Sequence, residues 1–534
     1  MAEKFISLLY PTAESQAYHE ALANLPDISE EVCAELGLTE IFDLKSSSLT
    51  EFFTSDPEVI RYRQSTLRDL KRLPELLDVL SKIHPILDDI RELRRLDDNK
   101  VSAAESYLYS ITEIELYVSA VETLRAGFEG VRDQVSGTAF VALDEFIREL
   151  SESEYYRELN EKLKALAERV NEVKSITVGV NLDAQMRPEY AGVISVNAEK
   201  FKSGKVLDKI LRFSFKNDAY TCIAPLTPTA KGQSENRQEA LVGAFNSAIE
   251  DVFRSSVRGW RNIVAEYVIE NTDFLLRLLP EIEFVSRAAE LISALEARSG
   301  CSLVYPELAP VEQKAFAAEG IYNPRVALAI DDEVVLNDFA FDEEAGLYVL
   351  SGPNRGGKSV IMVAVGAAQA MCQLGLPVPA ASARISPATG IYTHFPEGAD
   401  DTIDKGRLGE ECSRLREIFD AVDEHGLILL DESLSSTGAY EASYIASEIL
   451  TAFAVLGCRG IFSTHLHELA HSLPEINERS AERGGVKIDT LVAGIEEGKR
   501  SFKIHRMKPD GKSYAKDIAD KYGLSFESLV GGKR

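Results

Sequence analysis

The first half of the chain carries a hydrophobic pattern with helical spacing. Between residues 54 and 96, apolar side chains recur every three or four positions, as expected for helices that bury one face. Pro74 and Pro85 lie where they would start or kink such helices. No proline follows until Pro188, and Glu, Leu, Arg, Lys and Ala dominate much of that stretch. We therefore predict long helices before residue 175.

The pattern then changes to the shorter period of β-strands. Residues 175–182 and 191–197 are rich in β-branched side chains and flank a polar turn, which predicts a β-hairpin. We expect a small β element near residues 175–216. Residues 235–279 lack proline and predict a returning helix that ends at Pro280, followed by a further helix to about Arg298.

The second half alternates short apolar runs with helical segments, which is typical of an α/β domain. Its most informative segment follows the apolar run Leu347–Leu350 and precedes a long apolar helix pattern. The segment has the spacing G-x-x-x-x-G-K-S of a phosphate-binding loop. We predict that it binds a nucleotide through Gly352, Pro353, Asn354, Arg355, Gly356, Gly357, Lys358, Ser359 and Val360.

Each residue type in this segment suits the phosphates of a nucleoside triphosphate. Glycines let backbone N–H groups come close to phosphate oxygens, where a Cβ would intrude. Lys358 can reach the β- and γ-phosphates, and the hydroxyl of Ser359 can bind Mg²⁺. A helix that begins here adds a positive dipole end. ATP and Mg²⁺ are therefore the predicted ligands.

Two further apolar runs end in polar side chains. The run 426–430 is followed by Asp431, a predicted magnesium ligand, and by Glu432, which we predict to be the catalytic base that polarises a water. The run 458–462 leads to His465, a predicted sensor of the γ-phosphate. His467 and His471 are close in sequence, so a metal site is the alternative, although only Cys458 is near enough to complete a zinc set.

These motifs, in this order, resemble the ATPase domain of the MutS family, ABC-type ATPases best known from DNA mismatch repair. The chain reads G-P-N-R-G-G-K-S, then L-L-D-E, then S-T-H-L-H-E-L, and later K-S-Y-A-K-D-I-A at residues 512–519. The resemblance covers about residues 320–525. Upstream, residues 56–64 are similar to the core and lever region of MutS-like proteins. The resemblance implies ATP hydrolysis, a homodimer formed through the ATPase domains, and DNA as a partner.

The predicted fold is therefore multidomain. Residues 1–55 form a helical entry, and residues 56–300 form a mainly helical core and lever with the small β element. Residues 301–534 form an α/β P-loop domain of the ABC type with C-terminal helices.

The chain departs from the family pattern in two places. Mismatch readers begin with a domain whose Phe-x-Glu motif inserts at the lesion, whereas this chain begins almost at once with the helical region. We therefore expect that domain to be missing. In the segment Lys405–Glu411, the serine and threonine of the family signature are replaced by Leu408 and Gly409. Gly406 and Gly409 can still offer backbone N–H groups to a phosphate.

Charge and cysteine content change the picture of partners and compartment. A net charge of -28 opposes binding to nucleic acid, which usually needs a surface that neutralises phosphates. One basic cluster is a candidate DNA contact or, alternatively, a solvated strand face. It contains Lys200, Lys202, Lys205, Lys209 and Arg212. The six cysteines lack disulfide-framework spacing, and no membrane span or secretory segment is recognisable, which favours the cytoplasm.

The sequence is compatible with three functions. The first is a MutS-like ATPase that drives lever or clamp motion on structured or mismatched DNA in repair or recombination. The second is an ABC-type ATPase switch that acts on a protein complex without DNA, which the acidic composition suits. The third is a P-loop kinase, which is disfavoured because Asp431 and Glu432 resemble a water-activating pair.

Overall fold

The computed structural model describes most of the chain. The described residues are 5–21, 27–98, 103–161, 163, 175–182, 184–185, 188–197, 199, 202–203, 221–222, 273–342, 345–353, 356–395, 407–434, 436–496, 499–507 and 529. The chain divides into two compact units. One contains Met1–Pro74, Val135–Phe140 and Pro280–Arg534, and the other contains Glu75–Gln134 and Val141–Leu279. These units divide the chain at other residues than the predicted boundaries at 55 and 300.

Helices account for most of the described residues before 175, as the apolar spacing predicted. They are α1 Ala13–Ala21, α2 Glu30–Glu35, α3 Leu38–Phe42, α4 Pro57–Arg72, α5 Pro74–Asp98, α6 Ala103–Glu129 and α7 Thr138–Glu152, with 3-10 turns at Leu49–Phe52 and Arg132–Gln134. Residues 154–161 are helical as well. Helix α4 shows how the sequence starts a helix, because the Asp56 side chain accepts a hydrogen bond from the Glu58 N–H at 2.8 Å.

The predicted β-hairpin is confirmed. Strand β1, Ser175–Leu182, pairs antiparallel with strand β2, Pro188–Asn197. Two short strands, β3 Lys202–Ser203 and β4 Thr221–Cys222, pair in parallel. The Asn197 side chain is buried and donates to the Thr177 hydroxyl at 3.0 Å, which fixes one end of the hairpin.

One predicted helix end is wrong. Residues 273–296 are helical, so the chain continues as a helix through Pro280 instead of ending there. A proline inside a helix removes one backbone hydrogen bond. The apolar side chains on either side of it are almost fully buried, and their burial offsets that loss. These side chains are Leu275, Leu278, Leu279, Ile282, Phe284 and Val285. The rest of the predicted returning helix, residues 235–272, lies outside the described residues.

Mixed α and β structure follows the helical region, as predicted. The strands are β5 Glu307–Leu308, β6 Phe316–Ile321, β7 Asn337–Phe341, β8 Leu347–Ser351, β9 Ser382–Ile385, β10 Ile391–His394, β11 Leu427–Asp431, β12 Arg459–Ser463, β13 Ile488–Glu496 and β14 Lys499–Arg506. The helices are α8 Pro324–Ala329, α9 Lys358–Leu374, α10 Arg407–Ala421, α11 Ala439–Leu456 and α12 His467–Ala481, with a 3-10 turn at Val311–Gln313.

A six-stranded sheet organises this region, in the order β10-β11-β12-β8-β13-β14. The first five strands are parallel, and β14 is antiparallel to β13. Every residue of β8, β11 and β12 is buried, which explains their continuous apolar runs. Parallel strands end at one common edge, so the polar residues after these strands are brought together.

The remaining strands form a smaller sheet with the order β5-β9-β6-β7. Phe316, Phe339 and Phe341 pack edge to face between its strands β6 and β7, and Tyr348 of β8 contacts the last two rings. These aromatic contacts join the small sheet to the larger one.

Helix α9 is held rigidly at its carboxyl end. Gln369 and Gln373 have no exposed surface, and Gln369 donates to the Gln373 side chain at 2.9 Å. Gln373 in turn donates to the Ala388 carbonyl at 2.8 Å, and its own carbonyl accepts from the Thr54 N–H at 3.2 Å. The Gln373 amide also accepts from the Ala388 N–H at 3.1 Å, and a buried amide that bonds through both its oxygen and its nitrogen favours one arrangement of the backbone. Helix α9, which follows the glycine segment, is therefore hydrogen-bonded both to Ala388 and to Thr54 near the N-terminus.

No helix in the described part of the chain is both long enough and apolar enough to cross a membrane.

Candidate functional site

The glycine segment connects strand β8 to helix α9, as its sequence predicted. Gly352 and Gly357 have φ angles of +142° and +95°, which side chains other than hydrogen rarely tolerate. A Cβ at Gly352 would also lie 2.7 Å from the Ala493 Cβ, so no larger residue fits. Helix α9 begins at Lys358 immediately after Gly357. The first N–H groups of a long helix therefore face the space above the loop.

The other predicted nucleotide contacts surround this turn. Pro353 is half-buried, Gly356 is buried, and Ser359 and Val360 are exposed on the first turn of α9. Asn354 and Arg355 lie outside the described residues. The exposed Ser359 hydroxyl is accessible to a ligand bound above the helix N-terminus.

Lys358 has an almost completely buried side chain whose ammonium meets the other predicted catalytic residues. Its Nζ donates to the Gly352 carbonyl at 3.1 Å and lies 3.6 Å from Glu432 Oε1. Burial lowers the pKa of Lys358, while the carboxylates of Glu432 and Asp431 act in the opposite direction. The partial desolvation strengthens the attraction of this cation for an anionic ligand.

Glu432 leaves strand β11 in a strained conformation. Its φ angle is +46°, in the left-handed region that glutamate rarely adopts, at a cost of about 1–3 kcal/mol. Its N–H donates to the carbonyl of Ser463 on the neighbouring strand β12 at 3.0 Å. Residues whose strained backbone is held in place by the fold are concentrated at functional sites.

His465 lies just after strand β12 and contacts the Glu432 carboxylate. Its Nε2 lies 2.7 Å from Glu432 Oε1, and the ring nitrogen donates because a carboxylate only accepts. Lys358 Nζ lies 3.3 Å from the same ring nitrogen. The three predicted catalytic residues, Lys358, Glu432 and His465, therefore meet at one edge of the sheet.

The residues predicted to bind magnesium are compatible with a hard cation. Asp431 ends strand β11 with 5% of its surface exposed, and its Oδ1 has no hydrogen-bond partner among the described residues. A buried carboxylate oxygen without a donor is unusual, and a cation would satisfy it. Asp431 from β11 and the Ser359 hydroxyl from α9 are the ligands that this arrangement offers.

The alternative histidine metal site gains no support. Among the described residues, no group of three His, Cys, Asp or Glu side chains is placed to hold a metal ion. His465 instead bonds to Glu432, and His471 is exposed on helix α12. The side chain of His467 is not among those described.

Phe502 is a feature of the site that the sequence did not reveal. It lies on strand β14 with 45% of its surface exposed and a φ angle of +56°. A Cβ placed at Gly357 would lie 3.5 Å from the Phe502 ring, so the aromatic side chain borders the glycine segment. Asn337 holds this position by accepting from the Ile504 N–H at 2.8 Å and donating to the Phe502 carbonyl at 3.3 Å. Only the tertiary fold brings these segments together.

The structure describes part of the altered family signature and little of the basic cluster. Leu408 packs against the hydrophobic core beneath the large sheet, and Gly409 lies in the first turn of α10. Gly406 precedes the described residues of that helix. Of the basic cluster, only the backbone of Lys202 is described, in strand β3. Lys200, Lys205, Lys209 and Arg212 lie outside the described residues.

Comparison with known proteins shows which family the sequence resembles. Residues 348–519 match the family model for MutS domain V, and residues 55–298 match the model for the MutS2 N-terminal domain. The chain is a MutS-like protein. This MutS-like chain is 24% identical to the DNA mismatch repair protein MutS of Thermotoga petrophila over 535 aligned residues, which cover 98% of the chain and 58% of that relative.

Other relatives match shorter parts of the MutS-like chain. Endonuclease MutS2 of Thermus thermophilus is 29% identical over 197 residues, which cover 37% of the chain and 25% of that protein. The probable DNA mismatch repair protein Msh6 of Drosophila melanogaster is 41% identical over 128 residues, or 24% of the chain and 11% of that protein. The chain therefore spans less than two thirds of the length of each of these relatives.

Proposed function

We propose that this chain binds ATP with Mg²⁺ and hydrolyses it to ADP and phosphate. The observation that carries the proposal is the convergence of Lys358, Glu432 and His465 beside a glycine segment that opens helix α9. A triphosphate seated on the loop would offer its anionic oxygens to the Lys358 ammonium and to the first N–H groups of the helix.

Each side chain then has a chemical task. Glu432 accepts a proton from a water and orients it for in-line attack on the γ-phosphorus, so that the bond to the β,γ-bridging oxygen breaks and ADP leaves. His465, bonded to Glu432, contacts the γ-phosphate and reports whether it is present. Lys358 stabilises negative charge on the transferring phosphoryl group. Ser359 and Asp431 would hold Mg²⁺, which neutralises charge on the phosphates.

Phe502 supplies a stacking face for the base of the nucleotide, because its exposed ring borders the glycine segment. Replacing it with alanine is expected to weaken ATP binding about 5- to 150-fold, since stacking of a base on an aromatic ring contributes about 1–3 kcal/mol and each 1.4 kcal/mol is tenfold. Inorganic tripolyphosphate has no base, so its affinity stays unchanged. Both dissociation constants are measured by calorimetry.

Phe502→Tyr is the control for this substitution, because it keeps an aromatic ring. An equal loss of ATP and tripolyphosphate affinity in Phe502→Ala would instead mean that the glycine segment had been distorted, and the stacking role would be rejected.

The nucleotide cycle is proposed to move the helical levers. A ligand changes a conformational equilibrium only if it binds one state better than the other. His465 and the first turn of α10 around Gly409 are the proposed sites of that differential contact, the second through the γ-phosphate of a dimer partner. The chain is accordingly proposed to form a homodimer through its nucleotide domains.

Structured or mismatched DNA is the proposed object of the levers, in repair or recombination. The names of the relatives, DNA mismatch repair protein and endonuclease MutS2, support this partner. A switch that acts on a protein complex without DNA is the second candidate, because a net charge of -28 repels a polyanion.

A salt titration separates these two functions. Glu432→Gln with ATP and Mg²⁺ is expected to bind branched or mismatched duplex in preference to homoduplex, and more weakly as salt rises. Each phosphate contact contributes about 0.9 to the slope of log affinity against log salt. Reversing the charge of Lys202, Lys205 and Lys209 should therefore flatten the slope by up to about three units.

The control reverses Lys45, Lys82 and Lys487, which changes the net charge equally at exposed positions elsewhere. An equal effect of both triple variants would show that net charge alone matters. Absence of binding to every duplex at low salt would favour the protein-directed switch and leave the ATPase proposal intact.

A further inference from the structure

The turn that presents Glu432 is held by a contact to a strand outside the nucleotide motifs. After strand β11 the chain adopts a left-handed conformation twice, at Glu432 with φ +46° and at Leu434 with φ +70°. Neither residue is a glycine. Such a turn persists only where its surroundings leave the backbone no alternative.

Three contacts hold this turn. The Glu432 N–H donates to the Ser463 carbonyl on β12, and the Leu434 side chain is 99% buried in the core beneath the sheet. Between them, the hydroxyl of Ser433 lies 2.7 Å from Nδ1 of His394, the last residue of β10. Because β10 and β11 are parallel neighbours, both residues lie at the edge where the catalytic side chains emerge.

The Ser433–His394 contact is shielded from solvent, so water would not readily take the place of either side chain if it were removed. Ser433 has 3% of its surface exposed, and His394 is half-buried. The charged groups that face the imidazole are Glu411, Arg414 and Glu31. Arg414 and Glu31 pair with each other at 2.5 Å, and Glu411 accepts from the Ser436 hydroxyl. Burial lowers the pKa of His394, which favours the neutral ring.

We propose that His394 is a positioning residue for ATP hydrolysis, which orients the Glu432 carboxylate through its hydrogen bond to Ser433. The inference rests on the proposed function, because it assigns a support to the catalytic base. Among the described residues, His394 bonds to Ser433 and not to Lys358 or Glu432, so its effect passes through the backbone of the turn. A shift of this turn moves the carboxylate without altering the glycine segment that binds the phosphates.

The test compares single-turnover rates of phosphate release and ATP affinities. His394→Leu is expected to lower the rate about tenfold, because a small displacement of a catalytic group slows the reaction strongly. The ATP dissociation constant should change less than about twofold, since a lost orientation of the base acts on the transition state alone. The melting temperature is measured on each variant, because a structural role would lower it without changing the rate.

A double-mutant cycle makes the assignment specific. Ser433→Ala should lower the rate as much as His394→Leu, and the double variant should be no slower than either, because both remove one contact. His394→Asn places an amide near the position of Nδ1 and should restore most of the rate. Additive losses, or a wild-type rate in a folded His394→Leu, would overturn the proposal. If His394→Leu does not fold, Ser433→Ala and His394→Asn provide the same comparison.

Failure of this inference is distinguishable from failure of the ATPase proposal. If the wild type releases phosphate, Glu432→Gln does not, and His394→Leu matches the wild type, only the positioning role is wrong. If the wild type releases no more phosphate than Glu432→Gln, the proposed function and the positioning role fail together.

Discussion

Glu432→Gln is expected to hydrolyse ATP about 10²- to 10⁴-fold more slowly than the wild type while still binding it, because the amide cannot accept the proton of the attacking water. The substitution keeps the size of the side chain and its ability to bond to His465, whose Nε2 lies 2.7 Å from the carboxylate. It also removes one negative charge 3.6 Å from the Lys358 ammonium. The affinity of Glu432→Gln for ATP should therefore equal or exceed that of the wild type.

Single-turnover phosphate release and equilibrium binding of ATP measure the two effects separately. Glu468→Gln is the matched control, because Glu468 is an exposed glutamate in the first turn of α12. Hydrolysis by Glu432→Gln at the wild-type rate would show that another group is the base. A loss of ATP binding as large as the loss of rate would point to a role in binding.

Lys358→Ala is expected to weaken ATP binding about 10- to 100-fold, because hydrogen bonds to charged groups contribute about 1.5–3 kcal/mol and each 1.4 kcal/mol is tenfold. Without nucleotide, the melting temperature of Lys358→Ala should remain close to that of the wild type. Burial lowers the pKa of Lys358, so the folded state holds this proton less tightly than the unfolded state. At neutral pH the charged side chain therefore gives no net stability through its own ionisation.

A thermal-shift titration tests this prediction, because ATP raises the melting temperature only if it binds the folded state. The wild type should be stabilised by ATP with Mg²⁺, and Lys358→Ala should need a much higher concentration for the same shift. Lys487→Ala is the control, since Lys487 is an exposed lysine. A variant that melted far below the wild type without nucleotide would show that Lys358 serves the fold instead.

The strands of the candidate site were predictable because their signal is local. Runs such as Leu427–Leu430 are short and apolar at every position, as expected for a strand buried on both faces. The glycine segment was equally clear, since Gly352 and Gly357 have backbone angles that favour glycine. A parallel sheet then places Asp431 and His465 at the same edge. The meeting of these side chains therefore followed from the pattern before any distance was known.

Contacts between distant segments were not predictable in the same way. Nothing in the residues around Phe502 indicates that they return to the glycine segment, because local sequence does not say where a strand packs. The local rule for proline predicts a helix end at Pro280, because that rule takes no account of the burial that sustains the helix. The bond between Gln373 and Thr54 joins residues more than three hundred positions apart.

The sequence alone determined the strands, the phosphate-loop spacing and the identity of the acidic and histidine side chains, because these depend on each residue and its near neighbours. The tertiary structure decided how those side chains are aimed. The left-handed turn at Glu432 and its contact to His394 through Ser433 depend on neighbouring strands, and burial leaves Asp431 Oδ1 without a partner among the described residues. Such contacts depend on the packing of the whole sheet, and no short stretch of sequence contains that packing.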